Sequence, residues 1–201
     1  MTSNLLLSVM GAVAQAAAEA PEAADAGGKA ILEAAAAGNN IWQFLGQLGG
    51  ALALGLGAVG SALGIGVAGR AAAGAWAKEA KAGIGQRFTY IILLGMPISQ
   101  TLYAMIVMNK VRTVLMAGDS LAVLPELSAA YAGVLLAVGI ATGLAEMFSA
   151  WMQGQIGAAG IRSINEGEGK GFAFLIIAMG IVETVGIFAM VFMLGMLPTI
   201  G

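Results

Sequence analysis

Residues 171–197, GFAFLIIAMGIVETVGIFAMVFMLGML, form an almost unbroken apolar stretch with a single carboxylate, Glu183, near its centre. A helix of about 20 apolar residues is long enough to cross the hydrocarbon core of a bilayer, so this stretch predicts a membrane-spanning helix. An ionised carboxylate at the bilayer centre costs about 3 kcal/mol or more. Glu183 is therefore a candidate functional residue. The alternative is a protonated Glu183 that only holds helices together through a hydrogen bond.

Three more stretches of the chain are long and apolar enough to span a membrane. They run from about Ile41 to Gly69, from Phe88 to Met108 and from Leu127 to Ile161, and no soluble domain interrupts them. The composition agrees, since 59% of the residues are hydrophobic and 10% are charged, whereas soluble domains carry about 25% charged residues. We expect an all-α membrane protein whose four transmembrane helices form two tandem hairpins.

The residue types that the chain lacks exclude several chemistries. It contains no Cys and no His, which removes thiolate and imidazole catalysis and most zinc sites. Its formal net charge of -2 offers no basic stripe, so no nucleic-acid partner is expected. Carboxylate, amide, hydroxyl and carbonyl oxygens remain, and these are ligands for small hard cations.

The basic residues predict the orientation of the chain in the membrane. The two connections inside the hairpins contain Arg70, Lys78, Lys81, Arg87, Arg162 and Lys170, whereas the other side has Lys29, Lys110 and Arg112. Because cytoplasmic loops carry an excess of Lys and Arg, both hairpin loops are expected in the cytoplasm. Both termini, and the connection around Gly118, Asp119 and Pro125, are then expected outside.

The chain is expected to divide into three segments. Residues 1–40 are an N-terminal extension or signal peptide, residues 41–118 the first helical hairpin, and residues 119–201 the second hairpin with the carboxylate. Within residues 1–40, Ala24-Asp25-Ala26 has the small-x-small pattern of a cleavage site, but no basic residue precedes the short apolar run from Leu5 to Ala18. Cleavage and a retained external extension both remain open.

The two hairpins look like copies of one unit. Arg87 opens the second span and Lys170 the fourth, and Gln100 and Glu183 each follow thirteen residues later. At about 1.5 Å per residue, both side chains lie roughly 20 Å into their helices, near the middle of the membrane. One hairpin therefore carries an amide where the other carries a carboxylate.

Glycine distinguishes the odd-numbered spans from the even-numbered ones. The first span contains the small-xxx-small pair Gly60 and Gly64, and the third contains Gly154, Gly157 and Gly160 near its cytoplasmic end. Small residues let helix backbones approach closely. We expect spans one and three to form a crowded inner circle and spans two and four a looser outer one. Ordinary tight bundling within one subunit is the alternative.

Polar residues on the second and third spans could converge on Glu183. Ser99 and Gln100 follow Pro97, which lacks an N–H and predicts a local helix distortion that exposes carbonyl oxygens. Gln153 lies in the cytoplasmic half of the third span. One negative charge and several neutral oxygens could dehydrate a monovalent cation and leave the site neutral. The alternatives are solvation of Gln153 at the membrane interface and a hydrogen bond from Ser99 to its own helix.

A second carboxylate lies in the third span. Glu146 is seven residues before Gln153, hence on nearly the same helix face and about 10 Å further outward. It is a candidate second ion position or access-path group. We favour a protonated or hydrogen-bonded residue of an inner helix and do not place Glu146 in the primary site.

Four strings of the sequence carry a resemblance to a known family. They are Gly60-Ser61-Ala62-Leu63-Gly64-Ile65-Gly66, Pro97-Ile98-Ser99-Gln100-Thr101-Leu102-Tyr103, Gln153-Gly154-Gln155-Ile156-Gly157-Ala158-Ala159-Gly160-Ile161 and Val182-Glu183-Thr184. From Gln47 to Leu197 the chain resembles the membrane rotor proteolipid of V/A-type rotary ATPases, the four-helix form with two fused hairpins. The second to fourth strings are similar to the ligand segments of sodium-type members. Three features depart from the family pattern: the long acidic N-terminus, a longer first cytoplasmic loop, and Glu146 where relatives tend to have a small residue.

The resemblance implies a non-catalytic protein that translocates ions, with ATP handled by other subunits. The transported ion is expected to be Na⁺, with H⁺ as the alternative. Glu183 would carry the ion, and Tyr103 would hydrogen-bond to Glu183 and help to close the site. The implied further ligands are the side-chain oxygens of Gln100 and Gln153, the hydroxyl of Ser99, which stands where relatives often have Thr, and the Met96 carbonyl.

The resemblance also implies partners. They are further copies of the chain in a homo-oligomeric ring, a stator membrane subunit with an essential Arg, central-stalk subunits at the cytoplasmic loops, and the lipid bilayer. We expect a multi-pass protein of a bacterial plasma membrane. A stand-alone four-helix ion channel or transporter is the competing hypothesis, and a structural membrane assembly protein is a third.

Overall fold

The computed structural model describes residues 41–115 and 129–197. Within these ranges the chain is helical and contains no strand: α1 (Ile41–Lys81), α2 (Thr89–Gly95), a 3₁₀ turn (Met96–Ile98), α3 (Ser99–Leu115), α4 (Ala129–Glu166) and α5 (Phe172–Gly195). Four segments, Ile41–Lys81, Thr89–Leu115, Tyr131–Glu166 and Phe172–Gly195, are long and apolar enough to cross a membrane. The predicted fold class is confirmed. The extension at residues 1–40 with its cleavage pattern, the connection around Gly118, Asp119 and Pro125, and the 118/119 boundary lie outside the described residues.

Three helices continue beyond the ends that hydropathy predicts: α1 by twelve residues, α3 by seven and α4 by five. α1 ends at Lys81 rather than near Gly69, so Arg70, Lys78 and Lys81 lie on the helix, and Arg162 likewise lies within α4. The prediction of a long first loop is wrong, because the connection covers only residues 82–88. The alanine-rich run at residues 71–80 favours helix without being apolar enough to extend the predicted span. At about 60 Å, α1 exceeds the roughly 30 Å hydrocarbon core and projects beyond it.

α1 and α4 pack backbone against backbone through glycine. A methyl group on Gly60 would overlap the backbone of Met147, and one on Gly64 would overlap the backbone of Ala150. Gly154 in turn faces Gly64. The close approach of spans one and three is thus confirmed within a single chain, which is the bundling that the alternative described. The inner circle of a ring remains a prediction.

The second span is broken where Pro97 predicts a distortion. The 3₁₀ turn Met96–Ile98 separates α2 from α3, because Pro97 cannot donate a backbone hydrogen bond. The Ser61 hydroxyl of α1 donates to the Pro97 carbonyl at 2.5 Å, and Thr101 donates to the Ser61 hydroxyl at 2.7 Å. A chain of hydroxyls therefore fastens the broken span to α1, and the predicted distortion is confirmed.

A polar cluster at the loop end of the helices was not predicted. Glu79 of α1 is buried, and its Oε1 lies 2.6 Å from the Arg87 guanidinium and accepts a 2.7 Å hydrogen bond from the Tyr90 hydroxyl. Asn165 of α4 donates to the same oxygen at 3.3 Å. The hydrogen bond to Tyr90 contributes most to raising the pKa of Arg87 above its usual value, and the charge of Glu79 adds to it. The cluster ties α1, the following loop and α4 together.

Two apolar clusters leave a polar layer between them. One cluster includes Val107, Val111 and Leu135, and the other includes Tyr90, Leu93 and Ile161. The buried polar residues of α3 and α4 lie between these positions along both helices. α5 closes the layer on one side and exposes seven large apolar side chains, namely Phe174, Ile177, Ile181, Val185, Phe188, Val191 and Phe192. Such a helix suits contact with lipid.

Candidate ion-binding site

Glu183 of α5 receives hydrogen bonds from two other helices. The Tyr103 hydroxyl of α3 donates to its Oε1 at 2.8 Å, and the Gln153 amide of α4 approaches its Oε2 at 3.5 Å. The second distance is long for a hydrogen bond, so Tyr103 makes the stronger contact. Glu183 itself is half-buried. The carboxylate thus lies where α3, α4 and α5 meet, with part of its surface toward the exposed side of α5.

Two fully buried glutamines continue the site into the interior. The Gln100 amide nitrogen donates to Gln153 Oε1 and to the Ser149 hydroxyl, each at 3.2 Å. The Gln153 amide nitrogen also donates to the Met179 carbonyl at 3.2 Å. Because Gln153 is 0% exposed, it does not solvate the membrane interface, and that alternative is wrong. Gln100 and Glu183 share one cluster through Gln153 rather than forming two separate sites.

Ser99 lies at the start of α3, directly after the 3₁₀ turn. Its hydroxyl oxygen is 3.1 Å from the Met96 carbonyl and 3.1 Å from Gln100 Oε1, and its one hydrogen can serve only one of them at a time. The hydrogen bond to the preceding turn is therefore available, as the alternative for Ser99 described. The Met96 carbonyl also accepts the Ser99 backbone N–H. To bind a cation, Met96 would exchange the Ser99 hydroxyl for the ion.

Ser149 belongs to the cluster although its sequence position did not single it out. Besides accepting from Gln100, its hydroxyl donates to the Val182 carbonyl at 3.0 Å, directly beside Glu183. Ser149 precedes Gln153 by four residues, so the two lie on one face of α4. That spacing is a signal that could have found it. The six predicted site residues and Ser149 are all brought together by the fold.

The donor set can be tested against the needs of a cation. Glu183, Gln100, Gln153, Ser99 and Met96 offer one charge and several neutral oxygens, which suits a hard monovalent ion with about five or six oxygen neighbours. Gln153 presents its amide nitrogen to Glu183. Coordination by Gln153 therefore needs its amide to turn over, which exchanges oxygen for nitrogen in nearly the same place. That turn would set the Gln153 nitrogen against the Gln100 amide nitrogen and the Gln153 oxygen against the Met179 carbonyl, so Gln100 must turn over as well. The donor types fit a sodium ion as cargo once both amides have turned and Met96 has exchanged the Ser99 hydroxyl for the ion.

Comparison with known proteins bears on the duplication. The sequence model of the family of ATP synthase C subunits matches the chain twice, at residues 48–109 and at residues 136–196, together more than half of its length. Each match covers one hairpin, from α1 to α3 and from α4 to α5. The predicted internal repeat is thereby confirmed. A search of curated proteins found no match.

Proposed function

The chain belongs to the family of ATP synthase C subunits, the non-catalytic rotor proteolipids that translocate ions in rotary ATP synthases and ATPases, and from this premise we propose that it is the sodium-carrying rotor protein of a V/A-type member. The observation that carries the proposal is the surroundings of Glu183. Tyr103, Gln153, Gln100 and Ser99 form one hydrogen-bonded cluster with it.

Neutral oxygens favour sodium over the proton as cargo. A proton needs only the Glu183 carboxylate, whereas a sodium ion must replace its lost water with protein oxygens. Two fully buried glutamines supply such oxygens beside the carboxylate of α5. Gln153 contacts Glu183 directly, and Gln100 joins it through Gln153. A sodium ion would use their oxygens, and a proton would leave them without a role in transport.

The single carboxylate in the ion-binding cluster of each chain supports the V/A-type assignment. Each hairpin matches the family, yet the first carries Gln100 at the position that Glu183 occupies in the second. Because Gln100 joins the Glu183 cluster through Gln153, the two hairpins together form one site, built from α3, α4 and α5. A ring of given circumference then moves fewer ions per turn than one with a carboxylate in every hairpin.

Translocation follows from the free energy of the empty site. With its cation bound, Glu183 is neutralised and can face lipid on the exposed side of α5. Ionised and alone, it would cost about 3 kcal/mol or more in the bilayer, so empty sites do not rotate into lipid. At the stator, a fixed cation, an essential Arg of that protein, favours the ionised form and releases the ion. Reloading occurs from the opposite half-channel.

A small number of ions moved per turn of the ring favours ATP-driven pumping over ATP synthesis. Each elementary charge costs about 2.3 kcal/mol per 100 mV of membrane potential. With fewer ions per turn, the free energy of one ATP can drive each ion against a larger gradient. We therefore place the protein in a complex that works mainly as a pump. Central-stalk subunits would bind at the cytoplasmic loops, and a bacterial plasma membrane is the proposed location.

Counting bound sodium tests the proposal. The purified ring is dialysed against radiolabelled sodium at slightly alkaline pH, and bound sodium is counted per chain. We expect one ion per chain, none in Glu183→Gln, and one in Glu166→Gln, a matched change at the exposed end of α4. A wild-type ring that binds no sodium, while Glu183 still takes up a proton, would show that the cargo is H⁺.

A further inference from the structure

Glu146 of α4 is a second buried carboxyl that the ion site does not use. It is 0% exposed, and among the described residues neither of its side-chain oxygens has a hydrogen-bond partner. A buried polar group without a partner is costly, and a buried isolated charge costs far more. The Glu146 carboxylate therefore needs a proton or another ligand to neutralise it at this position.

Glu146 lies on a polar stripe along one face of α4. The stripe consists of Thr142, Glu146, Ser149 and Gln153, which follow at the three- and four-residue spacing of one helix face. All four are buried, and the Thr142 hydroxyl, like Glu146, has no hydrogen-bond partner among the described residues. Over about 16 Å the stripe leads from the Glu183 cluster toward the first residue of α4.

A glycine on α5 makes room for the Glu146 carboxyl. A methyl group on Gly186 would overlap Glu146 Oε2 and lie 3.2 Å from its Cδ and 3.4 Å from the Ser149 hydroxyl. On α1, a methyl group on Gly57 would make only an ordinary contact, 3.5 Å from the Glu146 Cβ. The carboxyl thus occupies a space that Gly186 leaves open, one helical turn beyond Glu183.

The charges that face Glu146 do not favour its ionised form. On α5 the charged group that interacts with Glu146 is Glu183, and its charge has the same sign. On α3 the titratable group that interacts with Glu146 is the Tyr103 phenol, which carries no positive charge. α1 presents Gly57 there, which carries no charge. A carboxyl in apolar surroundings, opposite another carboxylate, takes up a proton in preference to remaining charged.

We propose that Glu146 is a second proton-binding site of each chain, holding one proton as a neutral carboxylic acid at neutral pH and binding no sodium. Because the charges of Glu146 and Glu183 repel each other, the two carboxyls are not ionised together. Loss of the cation from Glu183 strengthens the hold of Glu146 on its proton. The assignment rests on burial and packing, and it stands whichever ion Glu183 carries.

Infrared spectroscopy of the assembled ring tests this assignment. In Glu183→Gln the other carboxylate of the polar layer is gone, and the carbonyl stretch of a protonated acid, identified by its shift in D₂O, reports on Glu146. We expect this band at neutral pH, unchanged by saturating sodium and absent from the double variant Glu146→Gln/Glu183→Gln. A spectrum without the band, or a band that sodium removes, would overturn the assignment.

A second pair of variants keeps the test decisive if Glu146→Gln fails to assemble. In the Glu183→Gln background, Gly186→Ala presses a methyl group on the Glu146 carboxyl, whereas a methyl group at Gly180 meets no described atom within 4 Å. The band is expected to shift in frequency with Gly186→Ala and to remain in place with Gly180→Ala. If Gly186→Ala leaves the frequency of the band unchanged, the band belongs to another carboxyl, and the proposal is then wrong.

Discussion

Tyr103 is the residue whose hydroxyl contacts the proposed ion-binding carboxylate directly. Its 2.8 Å hydrogen bond holds Glu183 Oε1 in one position where α3, α4 and α5 meet. In Tyr103→Phe the carboxylate loses this contact, so fixing it around a sodium ion costs more free energy. We expect the sodium concentration for half-occupancy to rise about tenfold, equivalent to ~1.4 kcal/mol. Sodium titration of the purified ring measures this change.

Tyr90→Phe is the matched control for Tyr103→Phe. It removes the same hydroxyl, but from the Glu79 cluster rather than from the ion site. Its sodium titration should overlay that of the wild type. Equal titration curves for Tyr103→Phe and the wild type would mean that the hydrogen bond to Glu183 contributes nothing to ion selection.

The sequence predicts the members of the polar cluster unevenly, and the reason is local. Glu183, Gln100 and Gln153 stand out because a charge or an amide inside an apolar run needs an explanation. Ser149 does not, since a lone serine in a membrane helix can bond to its own backbone. Its contacts with Gln100 and Val182 depend on how α3, α4 and α5 are placed. Glu79 was missed because hydropathy ended α1 near Gly69 and left Glu79 in a predicted loop.

At the scale of helices, the α1–α4 seam depends on Gly60. A methyl group there would overlap the backbone of Met147. The backbone of a helix cannot rotate away from a steric overlap as a flexible side chain can. Gly60→Ala should therefore force α1 and α4 apart and lower the temperature at which the detergent-solubilised ring dissociates. Gly55→Ala is the control, because its methyl group meets no described atom within 4 Å. Equal dissociation temperatures would contradict the packing described here.

The Glu79 cluster makes a separate prediction for the loop end of α1. Arg87→Ala would leave Glu79, 2% exposed, without its cation. A buried carboxylate that loses its partner is strongly destabilised. We expect Arg87→Ala to lower the unfolding temperature clearly, and Lys78→Ala, at an exposed position of α1, to leave it nearly unchanged. An Arg87→Ala protein as stable as Lys78→Ala would show that the ion pair adds nothing.

Hydropathy predicts which segments span the membrane better than it predicts where the helices end. Hydropathy located all four spans, because each carries a long apolar run. It ended α1 near Gly69, since an alanine-rich run with scattered charges is helical but not apolar. The break at Pro97 was predicted from the missing N–H alone. The two hydroxyls that fasten the break to α1 come from tertiary packing and leave no local pattern.

For the whole molecule, we propose that two fused hairpins carry one sodium-exchanging carboxylate. Family membership and the fold support the rotor. The proposed identity of the ion rests on the neutral oxygens around Glu183. If sodium binds there, it competes with protons for that carboxylate, so a reagent that attacks only protonated buried carboxyls separates the two possibilities.

Carbodiimide labelling of Glu183 in membranes, with and without sodium at fixed pH, is the most direct measurement. If sodium replaces the proton on Glu183, millimolar sodium should slow the labelling strongly, while potassium at the same concentration should not. Rapid labelling that is indifferent to sodium would contradict the sodium claim and make Glu183 a proton carrier. Glu146, proposed to stay protonated in both conditions, should label equally with and without sodium. Sodium-dependent protection of Glu146, with Glu183 unlabelled in both conditions, would show that the transported ion binds at the other carboxyl.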